Sequence, residues 1–517
     1  MLPILTAAQM RQCDEYTVAQ GTPAQTLMER AARAAIEVLR SEDVFNLSQR
    51  PRILLLCGSG NNGGDGFAMA RFLWMDGHDV TVCYGGKWNE RHYPSAEHMS
   101  TECARQYTLW QRCGGKTRDE LPPLPSERCI VIDALVGIGL SRAPEGKLAA
   151  WIEAINQSNL PVLAMDIPSG VHADTGEVLG CAMRASVTAT VAYPKLGLLL
   201  HPGTACVGKL RVCHIGITTE AIHHPQAWQT TPDDLAHLLS RPPYANKGTF
   251  GRVLVIGGAL GMSGAVYFAA KAAYRAGCGL VEILSDEQNR IVLQTLLPEA
   301  VFTSIDISSP SNVVLDNAIK RADSIVLGCG LGRAPEANQL VGSVLRRAQK
   351  PLVLDADALY LLAASPALQS LLKAYAAPIA ITPHLGEAAR LMHQTVQEMT
   401  ENLISCADAL ANNYETVCVL KDARTVVSDG DARYLQTAGN SGMATGGSGD
   451  CLAGLLGSLA AQHRPAALND FTKLCALGVL IHAQAGDYAA AHVGEHAVMA
   501  SDIADAIGMA LHQAAIS

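Results

Sequence analysis

The sequence predicts an α/β protein in two successive halves, each a doubly wound, largely parallel sheet covered by helices. Three observations predict it. Short apolar runs recur, each followed by a small or polar segment and then a helical pattern, the order that parallel strands and their crossovers require. In both halves the carboxyl ends of these runs are rich in Gly, Asp, Ser and Thr, and an open parallel sheet gathers its ligands at that edge. Between the halves, from Ile217 to Lys247, the pattern dissolves into Thr, His, Pro and Asp.

Composition agrees with this and removes other classes. A chain of 517 residues, 49% hydrophobic and 17% charged, can bury a large core in each of two or three domains. The formal charge of −9, with no basic cluster, argues against a nucleic-acid surface. Fifteen cysteines without a C-x-x-C pair, and no signal-peptide pattern at Met1-Leu2-Pro3, suit a reduced cytoplasmic protein better than a disulfide framework or zinc site. Val253 to Ala270 is free of charge for 18 residues, but its four glycines make it strand, turn and helix, not a membrane span.

In chain order, Thr6-Ala7-Ala8-Gln9 and Thr22-Pro23-Ala24-Gln25 each match a capping box and open helices ending near Ala19 and Arg40. Arg52 to Cys57 reads as a buried strand. Gly58 to Gly66 then reads as a glycine-rich loop before a helix from Phe67 to about Asp76. Cys129 to Ile132 leads into Asp133 and Gly137 to Leu140, and Val162 to Met165 leads into Asp166-Ile167-Pro168-Ser169-Gly170. These three loops can converge on one ligand. Asn62, Asp133 and Ser169 offer hard oxygen ligands for an alkali or alkaline-earth cation, and Asp166 an acid or base. Taken singly, each aspartate at a strand end is more often a helix cap or turn former. Strands at Ser186 to Ala192 and Lys209 to His214 close this half, and Thr231 to Leu239 reads as a short helix of the next.

The second half repeats the scheme from the strand Arg252 to Ile256, its loop to Ser263 and a helix from Gly264 to about Arg275. Strands ending at Leu327, Leu354, Ile381 and Leu420 deliver Gly328 to Gly332, Asp355-Ala356-Asp357, Thr382 to Glu387 and Lys421 to Thr425 to one edge. Above that edge lies Gly442 to Asp450, running into an apolar helix from Cys451 to Ala461. Gly446, Gly447 and Gly449 can adopt φ > 0 and turn amides toward a phosphate, aided by the helix N-terminus. Asp450, at the seam, is placed as a general base toward a phosphate acceptor, or as a mere helix cap. His384 is either a ligand contact or a satisfied turn histidine.

These motifs carry a family resemblance over nearly the whole chain. Lys247-Gly248-x-x-Gly251, Leu354 to Leu359, Thr382-Pro383-His384-x-Gly386-Glu387 and Gly442 to Asp450 resemble the ribokinase-like ADP/ATP-dependent NAD(P)H-hydrate dehydratases. Asn61 to Gly66, Asp133-Ala134-Leu135-x-Gly137-x-Gly139 and Asp166 to Gly170 resemble the NAD(P)H-hydrate epimerases. Their order is that of the bacterial fusion of the two.

The resemblance implies a Rossmann-like three-layer α/β/α domain over residues 1–222 and a ribokinase-like one over 223–517. It implies repair of NADHX and NADPHX, in which the nicotinamide ring carries water at C6: the first domain interconverts the R and S hydrates, and the second dehydrates the S form with ADP or ATP and Mg2+. It places K+ on Asn62, Asp133 and Ser169. It places the hydrate of the first domain on Asn61, Asn62, Gly63, Gly64 and Asp65, on Gly137, Ile138, Gly139, Leu140, Ser141, Arg142 and Ala143, and on Asp166; the position of Asp166 at its strand end further gives it the expected catalytic role of proton transfer. In the second, it places the hydrate on Ala265, Gly332, His384 and the catalytic Asp450, and the nucleotide on Lys421, Asp422, Ala423, Arg424, Thr425, Gly446, Gly447 and Gly449. With the composition already described, the expectation is a cytoplasmic homo-oligomer without membrane or nucleic-acid partners. Ile138, Cys329, Leu385 and Asp422 depart from the pattern, where threonine, proline, proline and glycine are usual. Asp422 puts a negative charge near the expected phosphates. The competing reading is a ribokinase-like vitamin or sugar kinase with an N-terminal nucleotide-ligand binding module.

Overall fold

The computed structural model describes the chain except residues 125–127, 239–240, 308 and 517, and the side chains of 237 and 514–516. Contacts divide it into two compact units, Pro3–Gln226 and Ala227–Ser517 together with Met1–Leu2.

The first unit is built on a parallel sheet in the order Thr117–Arg118, Val80–Tyr84, Arg52–Cys57, Cys129–Ala134, Val162–Met165, Val187–Val191, Lys209–Cys213. Alternation along the central strand makes three layers: Ile53, Leu55 and Cys57 join a core with the helices Ala24–Ser41 and Asn61–Met75, while Leu54 and Leu56 join Trp151, Ile152 and Ile155 of Lys147–Ser158. The first helix, Ala7–Ala19, starts with the expected capping box of Thr6 and Gln9. The second box does not form. Pro23 keeps an extended ψ of 140°, so it stands before the helix, which runs Ala24–Ser41 without a side-chain cap.

The larger departure concerns the glycine-rich segment. The helix expected from Phe67 begins at Asn61, so Asn61 to Gly66 form its first turns and not a loop. Burial overrides the poor helix propensity of glycine here. A Cβ on Gly63 would lie 1.9 Å from the Gly58 carbonyl oxygen, and one on Gly66 would lie 2.7 Å from the Ala134 Cβ. None of these glycines has a positive φ. They let the helix press against the strands.

The second unit is a sheet in the order Ala227–Gln229, Arg433–Leu435, Val426–Ser428, Val417–Leu420, Ile379–Ile381, Leu352–Leu354, Ser324–Leu327, Arg252–Ile256, Leu280–Ser285, Val301–Ser304. It is parallel except where Val426–Ser428 pairs antiparallel with both its neighbours. Val253 and Val255 face a core shared with the helices Ser263–Arg275, Ser448–His463 and Leu468–Val493, while Leu254 and Ile256 are buried on the other face. Pro232–Leu238 forms a 3-10 helix; Leu239, expected to end it, lies outside the described residues.

The helix expected from Cys451 begins three residues earlier, at Ser448. Glycines again allow the approach: a Cβ on Gly454 would sit 1.9 Å from the Ala269 carbonyl oxygen, and one on Gly457 2.4 Å from the Val326 Cγ2. Its buried stretch from Cys451 to Ala461 anchors it in the core, which fixes Asp450 in its first turn at the carboxyl edge of the strands. Among the described residues no helix is long and apolar enough to cross a membrane.

Candidate active sites

At the strand ends of the first unit, two groups of side chains meet at the start of the helix Asn61–Met75. One surrounds Asp133. This carboxylate is fully buried; it accepts from the Ser169 hydroxyl at 2.7 Å, the Ser169 amide at 2.8 Å and the Leu135 amide at 3.2 Å, and no cationic side chain is among these partners. Burial pushes its pKa up to about 6 against the opposing pull of the Ser169 bonds. Asn62 is buried with both its Oδ1 and Nδ2 unpaired, and Gly137 is held against it, a Cβ there lying 3.2 Å from the Asn62 Cγ. An unpaired amide oxygen and an uncompensated carboxylate suit a bound cation, since either alone is costly in a dry interior.

The second group surrounds Asp166, held at a φ of 66°. Its Oδ1 accepts from the Lys195 ammonium at 2.6 Å, the Val191 amide at 3.1 Å and the Thr190 hydroxyl at 3.3 Å. Lys195 is wholly buried and also donates to Thr190 Oγ1 and the Val191 carbonyl. Two further carboxylates feel this pair. Asp65 is raised well above the usual range by burial and then by Asp166 and Asp14, while Asp14 is raised to about 6 by burial, with Lys195 opposing. The first helical turns thus carry Asn62 into one group and Asp65 into the other. Gly139, Ser141 and Arg142 are exposed, Ile138 and Ala143 half-buried and Leu140 buried, in a loop at the rim.

In the second unit the edge collects a charged cluster. The Lys421 ammonium donates to Asp355 at 2.8 Å, Thr382 donates to the same oxygen at 2.6 Å, and a Cβ on Gly449 would meet the Lys421 Nζ at 3.1 Å. Lys421 sits beside His384 through a backbone bridge, its amide donating to the Pro383 carbonyl. The Cys329 thiol and the Asp355 and Asp450 carboxylates lie within 4.8 Å of one another. Asp450 is raised to about 7 by burial and then by the charge of Asp355, with Cys329 and Lys421 pulling it down.

Asp450 is the third residue of its helix and does not cap it; Gly447, at a φ of 94°, precedes the helix without a side-chain cap. Of the three glycines expected to use φ > 0, only Gly447 does so. Gly446 faces open space, and Gly449 is helical. The free amides at this end are what an anion would meet.

The remaining expected residues fall around this cluster with distinct local roles. His384 caps the helix Leu385–Met392, its Nδ1 accepting from the Gly386 amide at 3.0 Å, while the ring stays exposed. The Gly332 amide donates to Asp357 at 2.9 Å, and a Cβ on Gly330 would meet the Ala265 Cβ at 3.0 Å. Asp422 to Thr425 form the turn after Lys421, where Arg424 donates to the Ala423 and Thr437 carbonyls and Thr425 to the Asp422 carbonyl.

Lys195, Asp14, Thr382 and Cys329 escaped the sequence reading as site residues. Thr382 and Cys329 stand in the motifs without a role, and the signal that could have found Lys195 is a lone charge ahead of the apolar run Leu196-Gly197-Leu198-Leu199-Leu200.

Comparison with known proteins finds relatives for both units. Residues 24–197 match the family described as YjeF-related protein N-terminus, and residues 253–508 that described as NAD(P)H-hydrate dehydratase. The chain is 35% identical over 526 residues to a bifunctional NAD(P)H-hydrate repair enzyme Nnr of Moorella thermoacetica, covering 97% of this chain and 95% of that one. The protein of the same name in Escherichia coli is 35% identical over 480 residues, 92% of this chain and 87% of that one. Among solved structures, a ribokinase-like superfamily protein of Enterococcus faecalis is 28% identical, covering 56% of this chain and 97% of that one with a TM-score of 0.49.

Proposed function

The chain belongs to the family of bifunctional NAD(P)H-hydrate repair enzymes, and from that premise we propose how its two sites divide the work. It is an NAD(P)H-hydrate epimerase and a nucleotide-dependent NAD(P)H-hydrate dehydratase in one polypeptide. The epimerase lies in residues 1–222 and the dehydratase in 223–517, an assignment supported by compact units that part near the same place.

In the epimerase, Asp166 takes the proton of the C6 hydroxyl. The C6–N1 bond opens with its electron pair passing to nitrogen, which is protonated by the neutral carboxyl of Asp65, and reclosure on the other face of C6 inverts the centre. Lys195 holds Asp166 in place for this exchange. Asn62, Asp133 and Ser169 would hold K+, which would supply a positive charge beside the buried Asp133 carboxylate.

In the dehydratase, hydroxide is a poor leaving group and a phosphate ester a good one. Asp450 deprotonates the C6 hydroxyl as it attacks the terminal phosphorus of ADP or ATP, accompanied by Mg2+; the ring nitrogen then expels the phosphate to leave a C6 iminium, and loss of the C5 proton to the departing phosphate restores the dihydropyridine. The amides at Gly446 to Gly449 and the positive end of the helix Ser448–His463 offset the transferring charge. Lys421 to Thr425 face the nucleotide, and Ala265, Gly332 and His384 the hydrate. Fifteen free cysteines fit a reducing, cytoplasmic setting.

The observation that carries the dehydratase assignment is the position of Asp450, in the first turn, free of capping duty and poised near neutrality. The test is the pH profile of dehydration of the pure S hydrate. Activity should rise through about pH 7 as Asp450 ionises. A profile flat from pH 5 to pH 9 in wild type would remove Asp450 from the base role.

A further inference from the structure

Cys329 plays no part in the mechanism just described, yet it faces the reacting carboxylate. It sits on the loop after Ser324–Leu327, flanked by Gly328 at a φ of 125° and Gly330 at a φ of 58°. That loop is pinned from both sides: the Cys329 carbonyl accepts from the Gly258 amide at 3.1 Å, a Cβ on Gly257 would lie 2.2 Å from the same oxygen, and one on Gly328 would lie 2.0 Å from the Asp355 carbonyl oxygen. The thiol is fully buried, within 4.8 Å of the Asp450 and Asp355 carboxylates. Burial and these neighbouring charges push its own ionisation well above the usual thiol range, so it carries its proton. A protonated thiol beside a carboxylate is a donor.

We propose that Cys329 is a positioning residue for the dehydration: its S–H donates to the Asp450 carboxylate, fixing the oxygen that must face the C6 hydroxyl and favouring the ionised form. The inference rests on the assignment of Asp450 as the base. The charged groups facing Asp450 are Asp355 and Asp357, which disfavour its ionisation, and Lys421, which favours it. Lys421 is itself engaged with Asp355 and feels Glu387, and Cys451 behind Asp450 is protonated. The Cys451 thiol donates instead to the Ala500 carbonyl at 3.4 Å, so among these neighbours Cys329 is the neutral donor left to Asp450, and its loss leaves Asp450 more basic and less often ionised at neutral pH. A buried cysteine that merely fills space would behave otherwise: its removal would cost packing, and any loss of rate would be the same at every pH.

The experiment is the pH dependence of dehydratase kcat/KM in the full chain for wild type, Cys329→Ala and Cys329→Ser, with ADP or ATP affinity measured on each to report that the second unit is folded. Cys329→Ala should move the ascending limb up by about half a pH unit, a roughly threefold loss below the midpoint that vanishes at high pH. Cys329→Ser, which keeps a donor, should return the limb to the wild-type position. An unmoved limb in Cys329→Ala, or a loss equal at all pH values in both variants, would overturn the proposal. Asp450→Asn measured alongside separates the two readings, because activity surviving in that variant sinks the base assignment itself.

Discussion

The two glycine-rich motifs, Asn61 to Gly66 in the first unit and Gly442 to Asp450 in the second, look alike as sequence and do opposite things in the fold. Both follow the outline of a phosphate-cradling loop ahead of a helix. In the first, the glycines lie within the helix at ordinary φ and have no room for a Cβ, so their service is close packing that delivers Asn62 and Asp65 to the strand ends. In the second, Gly446 has open space around it and Gly447 takes a φ of 94° to start the helix, so the service is free amides and an exposed helix end. Glycine density marks a place where backbone must come close to something. Whether that is another strand or a ligand is settled by what packs around it.

On the proposed assignment the contrast also divides the chemistry, the first motif serving Asp166 and a cation and the second Asp450 and a phosphoryl group. Asp450→Asn should lower dehydratase kcat by roughly 10²-fold or more and leave epimerisation intact, and Asp166→Asn should do the reverse, assayed on pure S and pure R hydrate respectively. Variants that cripple both activities would break the division.

Gly63→Ala forces a Cβ to 1.9 Å from a backbone oxygen and should cost the first unit about 2–3 kcal/mol in denaturant unfolding. Gly446→Ala, meeting nothing, should stay within about 0.5 kcal/mol. Equal costs would mean that the glycines do not differ in role.

Potassium should raise the thermal midpoint of the first unit's transition by a few degrees, about 1–2 kcal/mol, relative to tetramethylammonium. Asn62→Ala and Asp133→Asn should lose that response. The smallest effect expected is at the nucleotide turn: Asp422→Gly removes a negative charge near the phosphates and should lower KM for ADP or ATP by about threefold, more at low salt than at high.

What could be read from the sequence follows the same division. Strands such as Val162–Met165 and Ser324–Leu327 fall where their apolar runs place them, because a buried parallel strand is legible as a short run between breakers. The starts of the helices at Asn61 and Ser448 were misplaced, because glycine propensity points to loop and only long-range packing reverses it. Asp450 was legible through its motif. Lys195 was not: its role depends on reaching Asp166 across 29 positions, and no period or spacing encodes that. Asp14, on the first helix, is hidden for the same reason.

The most direct test of two independent sites is the recovery of reduced-nicotinamide absorbance from a mixture of R and S NADH hydrate, with Mg2+, K+ and ADP or ATP, in wild type and Asp166→Asn. The account predicts full recovery by wild type and, for the variant, recovery that halts once the S fraction is spent. Full recovery by Asp166→Asn at the wild-type rate would contradict it.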